Sequence, residues 1–223
     1  MFEDEDLVAR RHNAFTAWLK MRPAPAAEIM TGLHAGYTPL RLDAENLPDD
    51  WEHLPTDRLY VGGYDEDRAI YDGPVFTAGA GEEARTIHLG IDLFAVAGTP
   101  VFAAVAGRIH SFQDNANPKD YGPTIILEHT VTTDLTFYTL YGHLSRESLI
   151  GLHVGQDIAA GARLATLGAA DVNGGWPPHL HFQIILDMGT VRGDFPGVFK
   201  KSERARWKLI CPDPAPLLGI ESC

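Results

Sequence analysis

The chain has 223 residues, 45% hydrophobic and 22% charged, with a formal net charge of −12. These values belong to a globular chain that buries a real core, and they exclude a disordered one. The acidic balance argues against nucleic acid, whose phosphates need clustered Lys and Arg, and no apolar run reaches the roughly 18 residues of a membrane helix.

The opening "MFEDEDLVARRHNAF" lacks the basic and apolar regions of a secretory signal. The cytoplasm is therefore the expected location, with an exported one only if a leader has been removed. Residues 4–21 predict an amphipathic helix with Leu7, Ala14, Phe15, Trp18 and Leu19 on one side. Its acids lie in the first turn and Lys20 in the last. "RPAPAAE" ends it because proline cannot continue a helix. Segment 31–75 reads as an irregular, non-catalytic arm that packs on the main domain or pairs subunits, with the acidic "GYDEDR" either covering a groove or, the favoured reading, forming a solvated turn.

From about Arg85 the texture changes. "RTIHLGIDLF", "TPVFAAVAGRIHSF", "PTIILEHTV", "LTFYTLYGHLS" and "LHFQIILD" are β-branched or aromatic runs separated by turn residues. Short strands with no long helix between them predict a mainly β chain, an antiparallel sandwich or barrel-like sheet. The expected division is 1–75 for the N-terminal helix and arm, 76–200 for the main domain and 201–223 for a tail. Cys211 and Cys223 both lie late, which leaves a disulfide between them open but makes no secreted framework.

Three short blocks carry chemistry. In "PPHLHFQI", His179 and His181 stand two apart, so a strand aims both imidazoles at one side. In "IHLGID", His88 and Asp92 stand four apart beside Thr86, Ile87, Gly90 and Ile91, which favour a strand and again one face. Alone, that pair is equally well a buried ion pair. In "LYGHLS", His143 is expected on a strand face with Tyr141, Thr139 and Phe137. A catalytic zinc takes three protein ligands and keeps an open position for water, whose pKa it lowers to about 7. Further imidazoles can then move protons or stabilise an oxyanion.

The blocks "HLGIDLFAVAGTPVFAAVAGRI", "LYGHLS" and "PPHLHFQ" resemble the signature blocks of the lysostaphin/LytM-type zinc endopeptidases, family 23 of the metallopeptidases. They occur in the family's order across residues 85–190. The resemblance implies that His88, Asp92 and His181 ligate Zn2+ and that His143 and His179 form the catalytic pair, either of which could be the base. It implies a compact antiparallel β-sandwich with a groove over the metal, and cleavage of peptidoglycan-type peptides, often next to glycine. Gln183 departs from the family's usual Glu and lies outside those five positions.

The flanks "YGPTIILEH", "NGGWPPHLHFQ" and "GDFPGV" resemble a subgroup found between phosphotransferase and class-III aminotransferase parts, neither of which this chain carries. That kinship makes a cytosolic hydrolase of another peptide or amide the alternative. A non-catalytic regulatory module is the third reading, and it predicts a broken ligand set. The expected partners are peptide substrates, without nucleic acid or a membrane span. A homo-oligomer formed through the N-terminal helix is left open. His129 either faces the site or makes a structural hydrogen bond. Trp176 either walls the groove or packs in a turn. His12, His34, His53, His110 and His153 lack partners at ligand spacing.

Overall fold

The computed structural model describes residues 5–22, 26–55, 57–77, 79 and 81–221. Cys223, and with it any pairing to Cys211, lies outside the described residues. Helix α1 (Glu5–Met21) is followed by the short strands β1 (Thr38–Leu40) and β2 (Tyr60–Gly62). Then come β3 (Arg85–His88), β4 (Ile91–Phe94), β5 (Pro100–Phe102), β6 (Gly107–Asn115), β7 (Gly122–Thr132) and β8 (Leu135–Gly142). The chain ends with β9 (Asp157–Ile158), β10 (Arg163–Thr166), β11 (His179–Ile185), β12 (Val198–Lys200), α2 (Arg204–Ile210) and α3 (Ala215–Leu218).

The fold is mainly β, as expected. Among the described residues eight strands form one sheet in the order β1-β2-β4-β11-β8-β7-β6-β9, with two-stranded sheets β10-β5 and β12-β3 beside it. The large sheet does not close into a barrel, and it is mixed rather than purely antiparallel. β1 and β2 pair in parallel, which the long irregular crossover between them allows. β2 then pairs with β4, so the arm extends the same sheet that carries Asp92 and His181.

Both faces of the sheet's centre are covered, which is why β7 and β11 read as nearly continuous apolar runs. On one face Ile125, Leu127, Phe137, Tyr141, Leu180, Phe182 and Ile184 join the main core. On the other, Ile126, Leu140 and Ile185 pack with Phe195, Phe199, Ile210 and Cys211. Helix α1 lays Phe15 and Trp18 against Phe137 of β8, with ring centroids 5.0 and 5.2 Å away. Val8, which the expected stripe did not include, is buried in the second core. Burying Phe15 contributes about 1.5–3 kcal/mol. The helix's apolar side thus meets the chain's own sheet.

Candidate metal centre

Asp92 sits on β4 opposite Gly62 of β2 and opposite His181 of β11. Alternation along β11 sends Leu180, Phe182 and Ile184 into the main core and leaves His179, His181 and Gln183 on the other side. His88 and Asp92 do not share one continuous strand, contrary to expectation. The chain turns at Leu89–Gly90, so that β3 pairs with β12 while β4 joins the large sheet. Gly90 permits this corner, because a Cβ there would stand 2.6 Å from the His181 ring and 2.7 Å from the Phe182 carbonyl.

His143 differs from expectation too. Tyr141 points into the core, its ring against Phe182 and its hydroxyl accepting the Ala104 N–H at 3.0 Å. His143 follows the end of β8 with φ at +60°, a left-handed conformation uncommon for a residue with a Cβ. That single residue reverses the side-chain direction. Its ring lies 4.1 Å, centroid to centroid, from that of His179.

The hydrogen bonds decide which nitrogens are free. His88 Nδ1–H donates to the Gly63 carbonyl at 2.9 Å, leaving the Nε2 lone pair. Gln183 Nε2 donates to the Pro196 carbonyl, which turns Gln183 Oε1 toward His181 Nε2–H at 2.9 Å and leaves the His181 Nδ1 lone pair. Those two lone pairs face each other at 2.9 Å, and Asp92 Oδ1 lies 3.2 Å from the first and 3.0 Å from the second. All three residues are buried, and among the described residues they form the only trio of this kind. Burial, with the nearby Arg68 charge, pushes the His88 imidazole down to about 3. Burial alone would raise the Asp92 carboxyl, but His88 and Arg68 hold it well below the usual carboxylate range.

Arg68 is the part that sequence reasoning missed. It lies in "GYDEDR", read as solvated, yet it is 2% exposed and donates to Asp92 Oδ2. Backbone pairing of residues 65–68 with β3, through His88 N–H to Glu66 O and Arg68 N–H to Thr86 O, brings it there. Gly62 makes the room, since a Cβ would stand 2.8 Å from Arg68 Nη2. Nothing in the local pattern marks this long-range partner.

His143 Nδ1–H donates to the Asn173 carbonyl at 2.9 Å and His179 Nδ1–H to the Pro177 carbonyl at 2.7 Å. Each ring keeps an Nε2 lone pair. Burial, aided for His143 by His179 and His181, lowers both imidazoles below their ordinary range. That burial favours the neutral form of each ring. Tyr121 stands beside them, its hydroxyl 3.4 Å from His181 Nε2.

These groups form the floor of a cleft of about 510 Å3. Trp176 does wall it while also packing in its turn, within 6.5 Å of Trp51, Tyr71 and Phe76 by ring centroid and beneath the Lys119 ammonium. His129 faces the core instead. Its Nδ1–H donates to the Ala106 carbonyl at 2.9 Å, and its Nε2 accepts from the Thr139 hydroxyl at 2.7 Å. His12 and His34 contact backbone carbonyls of the C-terminal segment.

Residues 86–192 match the model of one family. It is peptidase family M23. The matched segment contains all five histidine and aspartate positions, whereas Gly63, Arg68 and Tyr71 precede it. The uncharacterized lipoprotein YgeR of Escherichia coli is 33% identical over 95 residues, which are 43% of this chain and 33% of that protein. The match thus spans about a third of that relative's length. The catalytic domain of the antimicrobial peptidase lysostaphin from Staphylococcus simulans is 26% identical, over 60% of this chain and 80% of that one, with a TM-score of 0.42. A zinc-containing peptidase from Vibrio cholerae is 25% identical, over 60% and 36% of the two chains, with a TM-score of 0.40. No described helix is long and apolar enough to cross a membrane.

Proposed function

We propose that this chain is a zinc-dependent metallo-endopeptidase acting on peptidoglycan-type or glycine-containing peptides. The match of its central segment to a peptidase family supports a hydrolase. One observation carries the metal: two imidazole lone pairs and a carboxylate oxygen converge within 2.9–3.2 Å of one another, with each ring's proton committed elsewhere. Without a cation those pairs repel. A tetrahedron with zinc bonds of about 2.0–2.1 Å has edges of roughly 3.3 Å, so the triangle fits with little movement.

Bound zinc would supply a Lewis acid for the scissile carbonyl and a more acidic water. His88 Nε2, His181 Nδ1 and Asp92 Oδ1 would hold it. His143 or His179 takes the proton of the attacking water at Nε2. As the new C–O bond forms and the C–N bond breaks, that proton passes to the leaving amine. Until then the protonated ring can hydrogen-bond the oxyanion, which it cannot do while neutral.

A second reading keeps the machinery and changes the substrate to another peptide or amide. The aromatic wall of Trp51, Tyr71, Phe76 and Trp176 favours it, because a bulky apolar side chain would fill that space and glycine would not. Metal analysis and parallel digestion of muropeptides, short glycine-containing peptides and peptides with bulky apolar residues test both readings. Stoichiometric zinc with cleavage of either glycine-bearing set upholds the first. Cleavage confined to bulky peptides upholds the second. Neither metal uptake nor cleavage after adding zinc returns the chain to the regulatory class.

A further inference from the structure

We infer that Arg68, a residue of the arm outside the matched segment 86–192, is a positioning residue that limits Asp92 to one metal-binding oxygen. The inference rests on the metallopeptidase reading. Asp92 has two oxygens and they face different partners. Oδ1 turns toward His88 and His181, while Oδ2 takes the Arg68 Nη1 donor. The guanidinium has no freedom to release it. Its Nε donates to Glu66 Oε2 at 2.9 Å, Nη1 also reaches the Tyr71 hydroxyl at 3.2 Å, and Nη2 reaches the Gly63 carbonyl at 3.3 Å. Glu66 is itself pinned, its Oε1 accepting the Leu42 N–H at 2.9 Å.

The consequence lies in coordination number. A carboxylate with both oxygens free can grip a metal bidentately and fill the position a water needs. With Oδ2 committed, the trio offers one oxygen and two nitrogens, which is the three-ligand set of an open catalytic site. The Arg68 charge also offsets that of Asp92, so a bound dication keeps more of its own positive charge for a substrate carbonyl. Lysine would not substitute, because one ammonium lacks the planar fork that spans two carboxylates.

Cobalt(II) reconstitution of the full chain tests this, since four-coordinate cobalt absorbs visible light far more strongly than five-coordinate cobalt. The wild type is expected to bind one equivalent with the intense four-coordinate bands. Arg68→Met is expected to lose most of that intensity, as Asp92 adds its second oxygen to the metal. Arg68→Lys, which keeps the buried charge and protects folding, should shift the bands in the same direction by less. If the methionine variant does not fold, the lysine variant decides. Wild-type spectra in the folded variants would overturn the inference and leave the metallopeptidase reading standing. A wild type that takes up no stoichiometric cobalt or zinc would overturn both.

Discussion

His129 and His181 are both buried on central strands of the same sheet, yet their surroundings differ in one respect. At His129 both ring nitrogens are answered, one by the Ala106 carbonyl and the other by the Thr139 hydroxyl. At His181 the Nε2–H is answered by Gln183, and Nδ1 meets only another lone pair and a carboxylate oxygen. Burial therefore does not distinguish a core histidine from a ligand. An unanswered lone pair does, because a desolvated acceptor without a donor is costly unless a cation takes it.

The contrast can be broken most directly at the trio. His88→Ala or His181→Ala should abolish stoichiometric zinc and peptide hydrolysis together, as metal analysis and a cleavage assay would record. Retention of zinc in either variant would remove that residue from the ligand set. His143→Ala should separate the two properties. Zinc stays, and kcat falls by about 10²–10⁴-fold; a variant that turns over normally would take His143 out of the proton pathway. Gln183→Leu keeps the shape but frees His181 Nε2, so zinc affinity should drop about 10–100-fold. Equal chelator-competition curves would make the amide a bystander.

His129 should have the smallest effect on the site, and its influence falls on pH-dependent stability. Burial pushes its imidazole down to about 4, against about 6.5 in an unfolded chain. The folded state thus binds fewer protons than the unfolded one between those values. The stability is fully present above pH 6.5 and is lost as pH falls toward 4, by about 3 kcal/mol in all. His129→Gln should remove that slope from urea midpoints measured across pH 4–7 and leave zinc binding unchanged. Parallel slopes for the two proteins would contradict the assignment.

Strand alternation made part of this site legible. His179 and His181 are aimed by β11 alone, and the runs around Ile125 and Phe182 announce a buried sheet. The remainder depends on events that periodicity does not encode. The corner at Gly90 separates His88 from Asp92 into different sheets, although their spacing of four suited one strand. One left-handed residue turns His143 from the core side to the cleft side. Gln183, which sequence reasoning set apart from the chemistry, fixes the tautomer of His181. Arg68 reaches Asp92 through backbone pairing with β3, and its acidic neighbours looked like an ordinary solvated turn.

The Gly63 carbonyl accepts from both the His88 ring and Arg68, so one peptide group joins two separately encoded pieces of the molecule. A fragment trimmed to the family boundaries would keep every side chain able to do chemistry but lose the acceptor that fixes one ring and the cation that steadies the carboxylate. Grafting the proposed metal site onto another scaffold would therefore require carrying the 60–71 stretch with it.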